Sequence, residues 1–246
     1  MNNKILKKIL GILNYKLVDK NYFKNNRTIS QKSFLTIDTI INIVFKKEIR
    51  YLIQIGANDG IRFDVLNNHI KNNRTKSILV EPIKKNFEEL KNNYKNCDLV
   101  YFENLAISVN NEINFLYKVD EKFLNLYDRH IPGITSFNRN HLIKHGVKKR
   151  HISKEKVSSI SIEELLKKYN LKDLDLLFID AEGYDGKIVL DFLKLNFVKP
   201  IIIFEYIHID NNLFIEVVEK LVSSQYKFFS INENLICFPK DSFLSI

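Results

Sequence analysis

The sequence predicts an α/β fold built on a doubly wound, mostly parallel sheet. From Arg50 onward, short apolar runs alternate with amphipathic segments, which is the pattern of strands joined by helical crossovers. Leu174–Ile179 is almost continuously apolar, as expected for a strand that is covered on both faces. Several apolar runs end in a glycine turn or in acidic residues. Because open α/β sheets bind ligands at the carboxyl ends of their strands, these endings predict the functional site.

The individual elements follow from this alternation in chain order. Strands are predicted at Tyr51–Ile55, Ser77–Val80, Leu99–Phe102, Ile113–Val119, Leu174–Ile179 and Ile201–Phe204. Helices are predicted at Ile61–Asn72, Lys84–Tyr94, Ser161–Tyr169, Lys187–Leu195 and Asp210–Val222, the third of which begins with a capping box. Residues 120–159 are polar and aromatic, and we expect them to be irregular. Lys227–Ile231 and Leu235–Phe238 are expected to form a closing hairpin with an antiparallel last strand.

Length and composition predict one sizeable core. The chain has 246 residues, of which 45% are hydrophobic and 27% are charged, enough for one or at most two domains. Cys97 and Cys237 lack the spacing of metal ligands or of a redox pair. No run approaches the roughly 20 apolar residues of a membrane span, and the first residues are a poor secretory signal. We therefore expect a cytoplasmic protein.

Residues 1–49 are predicted to be a helical extension that precedes a catalytic domain at residues 50–246. Ile5, Leu6, Ile9, Leu10 and Leu13 share one face of a helix, with lysines around it. That face could pack on its own domain or on a second subunit, giving a homodimer, or it could touch a membrane surface. A second short helix is expected at 36–45, leading into the core.

The turn after the first strand has the features of a nucleoside site. It reads Ile55-Gly-Ala-Asn-Asp-Gly60, and Gly56 and Gly60 allow a tight turn and a close approach of backbone to ligand. The next helix offers free N–H groups to a carboxylate, while Asp59 could accept from an ammonium group. The second strand ends in Val80-Glu81-Pro82, where a carboxylate is placed to bind ribose hydroxyls. Alternatively, the glycines only turn the chain and Glu81 is a solvated residue at a helix start.

Acidic residues follow the two last parallel strands. Asp180, Glu182 and Asp185 come after one strand, and Glu205 and His208 come after the next. Charges at the ends of buried strands are costly without a partner. Together these groups could orient a hydroxyl, accept its proton or hold a divalent metal, although no spacing specifies a metal. For Asp185, capping of the following helix is an equally good interpretation.

As a set, these motifs resemble those of the FkbM-type methyltransferases. The segments involved are Ile55–Gly60, Val80–Pro82, Asn104–Ser108, Ile179–Gly183 and Phe204–Glu205, and the resemblance extends from about Arg50 to Pro239. It implies a class I, Rossmann-like fold that binds S-adenosylmethionine, with a seven-stranded sheet and an antiparallel last strand. It differs in two places. Asp185 stands where the family has a glutamate, and the segment 120–159, which is variable in the family, has no motif beyond Gly133-Ile-Thr-Ser136, so the resemblance does not identify the acceptor.

The resemblance also implies roles for residues. Gly56, Ala57, Asn58, Asp59 and Gly60 would surround the methionine part of the cofactor. Glu81 and Pro82 would lie at the ribose, and Asn104 and Ala106 at the adenine. Asp180 would lie beside the sulfonium and the acceptor. Glu182, Asp185, Glu205 and Ser136, the last from the variable segment, would lie on the acceptor side.

The predicted activity is O-methyl transfer to a hydroxyl of a sugar, a surface glycan or a related metabolite. His208 is the first candidate for the general base and Asp180 the second, while His130, His141, His145 and His151 could contact the acceptor. An NAD(P)-dependent oxidoreductase is the main alternative, but the turn lacks the GxGxxG pattern of dinucleotide sites. A nucleic-acid binder, suggested by the net charge of +9, leaves the acids unexplained. We expect no nucleic-acid partner.

Overall fold

The computed structural model describes residues 36–62, 64–109, 115–128, 131–195 and 197–243. Most of the predicted extension at 1–49 lies outside these residues, as does His130. The boundary at residue 49 and the contacts expected of the N-terminal helix therefore stay predictions. Within the described ranges, no helix combines the length and the apolar character needed to cross a membrane.

A central sheet of seven strands organises the described chain. Its strands are β1 (Tyr51–Ile55), β2 (Lys76–Val80), β3 (Val100–Glu103), β9 (Leu176–Ile179), β10 (Ile201–Glu205), β11 (Tyr226–Ile231) and β12 (Asn234–Pro239). They lie in the order β11-β12-β10-β9-β1-β2-β3. β12 pairs antiparallel with both of its neighbours, and the remaining pairs in the sheet are parallel. The fold class and the reversed last strand are confirmed.

Helices cover both faces of this sheet. They are α1 (Ile37–Val44), α2 (Asn67–Asn72), α3 (Lys84–Asn93), α4 (Arg139–Lys144), α5 (Ile162–Lys168), α6 (Asp185–Phe192), α7 (Asn211–Ser223) and the short α8 (Lys240–Phe243). Because side chains alternate along a strand, neighbours such as Leu52 and Ile53 enter different cores. Leu52 belongs to the core under α1, α2 and α3, and Ile53 to the core under α5, α6 and α7.

The segment predicted to be irregular contains ordered elements, so that prediction is wrong. β5 (Phe115–Val119) pairs antiparallel with β6 (Thr135–Ser136) and β7 (Ile152–Lys156), and β4 (Ala106–Ile107) pairs with β8 (Ser159–Ile160). Buried side chains of this segment, including Leu142 and Val147, form a small core together with Val119 at the end of β5. β7 reads Ile-Ser-Lys-Glu-Lys, and its partner lies more than thirty residues earlier, so no local pattern revealed the pairing.

The caps that the sequence predicted are present, but one helix starts late. Ser161 and Glu164 form the reciprocal capping box of α5, and Asp210 caps α7. The helix expected from Ile61 begins only at Asn67. The reason is local, because the carboxylate of Asp64 accepts from the backbone N–H of Leu66 at 2.8 Å and holds a turn before the helix.

Candidate active site

The turn after β1 brings the backbone of two neighbouring strands unusually close. Gly56 has φ +82°, and a Cβ built on it would stand 1.8 Å from the carbonyl oxygen of Asp180. Gly60 has φ +71°, and its Cβ would stand 2.5 Å from the ring of Tyr94. Only glycine satisfies both the left-handed backbone and the space at these positions. The turn therefore lies directly beside the end of β9.

Between these glycines, the polar residues bind the protein itself. Asn58 has φ +50°, and its backbone N–H donates to Glu81 Oε2 at 2.9 Å. Asp59 Oδ1 accepts from the backbone N–H groups of Ile61 and Arg62, and Asp59 Oδ2 pairs with the Arg62 guanidinium. These hydrogen bonds and the guanidinium hold the pKa of Asp59 below its usual value despite its burial. The carboxylate thus has its own cation, so its predicted contact with an ammonium group remains a prediction.

Glu81 is a buried carboxyl held by two backbone N–H groups. Its second oxygen, Oε1, accepts from the N–H of Ile83 at 2.8 Å. Burial outweighs these hydrogen bonds and raises the pKa of Glu81 to about 7. The side-chain amide of Asn104 donates to the carbonyls of Glu81 and Pro82 at 2.9 and 3.1 Å. Asn104 therefore fixes the backbone around Glu81, a positioning role that the sequence did not indicate.

A cavity opens at the carboxyl ends of β1, β2 and β9. Gly56, Glu81 and Asp180 give its polar boundary. An apolar part is formed by Pro82, Leu105, Ala106, Ile107 and Leu116. The cavity has the mixed apolar and polar lining of a small-molecule site. Gly56, Glu81, Pro82, Ala106, Asp180 and Glu182, all of them predicted site residues, meet here.

Asp180 is the carboxylate that opens into this cavity. The described residues make no hydrogen bond to its side chain, and burial together with the charges of Glu182, Glu233 and Asp64 raises its pKa to about 7. Glu205, at the end of β10, is crowded in the same way. Burial and the neighbouring acids, Asp180 first among them, raise the pKa of Glu205 to about 9. The predicted acidic group is therefore a real cluster.

The loop after β9 is held from within by Asp185. Its carboxylate has no exposed surface and accepts from the backbone N–H groups of Ala181 and Gly183 at 3.1 and 3.0 Å. Burial raises the pKa of Asp185 to about 8. Asp185 was expected to bind substrate or to cap the next helix, but its carboxylate holds the loop before α6, whose N-cap Tyr184 makes no side-chain cap hydrogen bond. Its contact with substrate stays a prediction. Ser136 donates to the carbonyl of Glu182 at 3.1 Å, so it too supports the loop.

Three imidazoles face the acids from the other side. Ring centroids lie 4.6 Å apart for His141 and His145, 4.5 Å for His141 and His208, and 5.0 Å for His145 and His208. His141 Nε2 is 3.0 Å from Glu182 Oε2, and His208 Nε2 is 3.7 Å from Glu205 Oε1. Burial and the two other imidazoles lower the pKa of His208 to about 4. The sequence did not predict that these histidines form a cluster.

His151 lies apart from this group. Its ring stacks on Phe123 at 3.9 Å between centroids, and its Nδ1 is 2.7 Å from the hydroxyl of Tyr127. Phe123 and Tyr127 both pack against the small core of the segment between β4 and β8. A structural role explains His151, and its predicted contact with the acceptor is not supported by this placement.

The residues around the cavity fit a nucleoside with a charged tail. The Gly56 position leaves no room for a side chain, Glu81 offers carboxylate oxygens, and the apolar part accommodates a flat ring. The sheet order, with one reversed strand inserted next to the edge strand, and a nucleoside-type site at the switch point define the class. The fold and the site are those of a class I, Rossmann-like methyltransferase.

The chain belongs to the FkbM methyltransferase family. The sequence model of the methyltransferase FkbM domain matches residues 54–228, so the resemblance to FkbM-type, S-adenosylmethionine-dependent methyltransferases is confirmed. This membership favours methyl transfer over the oxidoreductase and nucleic-acid alternatives. No curated protein sequence matches the chain.

Several solved structures are similar to the chain. Methyltransferase FkbM from Methylobacillus flagellatus KT is 11% identical, with 77% of this chain and 44% of that chain covered and a TM-score of 0.45. An O-methyltransferase from Bacillus cereus, in complex with SAH, is 10% identical, with 95% and 96% covered and a TM-score of 0.44. The precorrin-6y C5,15-methyltransferase from Geobacter metallireducens is 11% identical, with 84% and 90% covered and a TM-score of 0.42.

Proposed function

We propose that the protein is an O-methyltransferase that methylates a hydroxyl of a sugar, a surface glycan or a related metabolite. One observation carries the proposal. Asp180 opens into the cavity that Gly56 and Glu81 also line, and the acids and imidazoles of the acceptor side lie beside it. A proton acceptor is thus next to the expected position of the methyl donor.

The cofactor side supplies binding and orientation. Gly56 to Gly60 would hold the methionine part of S-adenosylmethionine, the Glu81 carboxylate the ribose, and Pro82, Ala106 and Ile107 the adenine. When bound, this cofactor supplies a methyl group that is already activated on a sulfonium. The protein mainly has to align the acceptor oxygen and keep the site free of competing water.

Asp180 is the better candidate for the general base. It lies at the end of β9, open to the cavity, and no described residue occupies its carboxylate by hydrogen bonding. A general base is most effective when its pKa lies near the working pH, and the pKa of Asp180 is about 7. His208 was our first candidate, but an imidazole with a pKa of about 4 is a weak proton acceptor. In this mechanism Asp180 takes the acceptor proton and releases it to solvent.

A polyhydroxylated acceptor fits the composition of the acceptor side. Carboxylate oxygens of Glu182 and Glu205 and imidazoles of His141, His145 and His208 lie within a few ångströms of one another. Such groups hydrogen-bond to neighbouring hydroxyls, as a sugar ring presents them. The net charge of +9 would also favour an anionic glycan or a nucleotide sugar. We propose the cytoplasm as location, because Cys97 and Cys237 are both free thiols.

Labelled cofactor tests this function directly. The full chain is titrated by calorimetry with S-adenosylmethionine and with NADH, and is then incubated with methyl-labelled cofactor and glycan or lipid extracts of the host. We expect binding of S-adenosylmethionine and transfer of label to a carbohydrate hydroxyl. Binding of NADH alone, or transfer of label to nitrogen or carbon, would refute the proposal.

Asp180→Asn tests the proposed base with the acceptor found in this way. The substitution keeps the shape of the side chain and removes its ability to accept a proton. Methyl transfer should fall by about 100- to 10,000-fold, while the dissociation constant for S-adenosylmethionine changes less than about threefold. Asp173→Asn is the matched control, since Asp173 is exposed and precedes β9, at the opposite end of the strand from Asp180. Unchanged transfer by the Asp180 variant would show that another group accepts the proton.

A further inference from the structure

Five side chains from three segments bring their ligand-type atoms together beside Asp180. His141, His145 and His208 each offer a ring nitrogen within 4.8 Å of the other two. Glu182, Glu205 and His208 offer a second set within the same distance. His208 belongs to both sets and so joins them. The arrangement differs from the group of four carboxylates and His208 that the sequence suggested, because it adds His141 and His145 and leaves out Asp180 and Asp185.

The distances within the cluster are those of atoms around one ion. With bonds of about 2.1 Å, neighbouring ligand atoms lie about 3.0 to 3.4 Å apart and opposite ones about 4.2 Å apart. His141 Nε2 and Glu182 Oε2 are 3.0 Å apart, and His208 Nε2 and Glu205 Oε1 are 3.7 Å apart. His208, which belongs to both sets, is the point at which one ion would meet them.

The fold aims these side chains at a common point. His141 and His145 are separated by four residues, and the N–H of His145 bonds to the carbonyl of His141 at 3.2 Å, which places both imidazoles on one helical face. Glu182 has φ +50° and Gly183 φ +93°. A Cβ on Gly183 would be 3.2 Å from the carbonyl oxygen of His208. Glycine therefore lets the Glu182 loop pack against the His208 turn.

A cation also resolves the electrostatics of the cluster. Neutral imidazoles and carboxylates both present lone pairs, and those of this cluster are directed at a common region. On the acceptor side, Asp180, Glu182, Glu205 and Glu233 add negative charge, and Lys144 is the cation that acts on the imidazoles. A positive ion at the centre of this group would compensate the cost of burying these carboxylates and imidazoles.

We propose that His141, His145, His208, Glu182 and Glu205 bind one divalent first-row transition-metal ion. Three imidazoles favour Mn²⁺, Fe²⁺, Co²⁺ or Zn²⁺ over Mg²⁺ and Ca²⁺, which prefer oxygen ligands alone. Asp180 is outside the ligand set and stays available as the base. The signal in the sequence is His-x-x-x-His at 141–145, which becomes informative only when Glu182, Glu205 and His208 are placed opposite it.

An ion at this position would bind an oxygen of the acceptor, which gives it a role in orientation. This consequence rests on the proposed function, but the site itself does not, because its ligands are identified without reference to methyl transfer. Metal binding can also be measured without turnover. A chain that binds the ion and not S-adenosylmethionine would refute the function alone, and the reverse result would refute the metal site alone.

Co²⁺ is the probe for the test, because its visible absorption reports coordination by protein ligands. The full chain is stripped with a chelator and titrated with Co²⁺, followed by absorption and calorimetry, and melting is recorded with and without the ion. We expect one ion per chain, a new visible band and a melting temperature that rises with Co²⁺. His145→Ala and His208→Ala should each weaken binding at least tenfold and abolish the rise in melting temperature.

His69→Ala and His151→Ala are the controls, because His69 stacks on Phe45 and His151 on Phe123, away from the cluster. Both should bind Co²⁺ like the wild type. Melting curves without metal show whether each variant folds, and Glu205→Gln gives a ligand variant of nearly unchanged shape. Absence of a visible band in the folded wild type would overturn the proposal. So would one-to-one binding that survives all three ligand substitutions in folded protein.

Discussion

The carboxylates on the two sides of the cavity have different hydrogen-bonding partners. On the cofactor side, both oxygens of Glu81 accept from backbone N–H groups, and Asp59 is held by two backbone N–H groups and Arg62. On the acceptor side, Glu182 and Glu205 instead face His141 and His208. Backbone donors are fixed by the fold, whereas side-chain partners can change with the ligand. One side is therefore preorganised, and the other is arranged to receive something further.

Asp185 and Asp180 show the same contrast within one loop. Asp185 is fully buried and ties the loop together through two backbone N–H groups. The side chain of Asp180, five residues earlier, lines the cavity. Desolvation by the surrounding protein and nearby carboxylates raise its pKa. Two acids of one motif thus have different tasks, and only the hydrogen-bond partners distinguish them.

If the cofactor side depends on backbone geometry, Gly56→Ala should break it with the largest effect. The new Cβ would overlap the carbonyl oxygen of Asp180, so β1 and β9 would have to separate. We expect the free energy of unfolding to fall by about 4 kcal/mol or more and binding of S-adenosylmethionine to be lost. Chemical denaturation and calorimetry measure both.

Gly146→Ala is the matched control for this substitution. Gly146 also has a left-handed backbone, with φ +86°, but nothing lies within 4 Å of its Cβ position. Its alanine variant should lose only about 1 kcal/mol and keep cofactor binding. Equal losses in the two variants would show that backbone strain, and not the close approach of two strands, makes Gly56 necessary.

The pH dependence of stability tests the raised pKa of Glu81 on the cofactor side. Burial raises the pKa of Glu81 from 4.5 to about 7, so the folded protein binds a proton that the unfolded chain has released. Stability from this group is complete below pH 4.5 and is lost as the pH rises to about 7. Without cofactor, the unfolding free energy of the wild type should fall by about 3 kcal/mol relative to Glu81→Gln over this range. A difference that does not vary with pH would contradict the assignment.

The smallest expected effect is a change in cofactor affinity, which should distinguish Glu81 from the structural carboxylate Glu103. Glu81 and Glu103 end neighbouring strands, but Glu103 is paired with Lys168 and Tyr169 at 2.8 and 2.7 Å. At pH 8, Glu81→Gln should weaken binding of S-adenosylmethionine about tenfold, because an amide replaces the carboxylate that we propose to bind ribose. Glu103→Gln should cost about 1 kcal/mol of stability and change affinity less than twofold. Calorimetry measures the affinity of both variants for S-adenosylmethionine. Equal affinities would show that Glu81 does not bind the cofactor.

The sequence predicted the sheet and most of its helices because the signals are local. β1 is bounded as predicted, the capping box of α5 is present, and β12 is reversed. The turn glycines, Glu81 and Asp180 were likewise recognisable, since each follows a strand directly. Their individual roles in binding remain predictions.

Long-range contacts could not be predicted from the sequence. The pairing of β7 with β5 depends on chain closure over more than thirty residues, and β7 has no apolar alternation. The histidine cluster joins α4 to the ends of β9 and β10, which lie far apart in sequence. Asp185 could be assigned to its loop only when the N–H groups of Ala181 and Gly183 were located.

The small core around Val119, Leu142 and Val147 has a consequence for how this enzyme could change its acceptor. It is separate from the two cores that stabilise the main sheet, and it supports α4, which carries His141. Substitutions there can shift the acceptor-facing histidines without loosening the strands that carry Gly56 and Glu81. Acceptor preference can thus change by substitutions in this small core while the residues proposed to bind the cofactor stay the same.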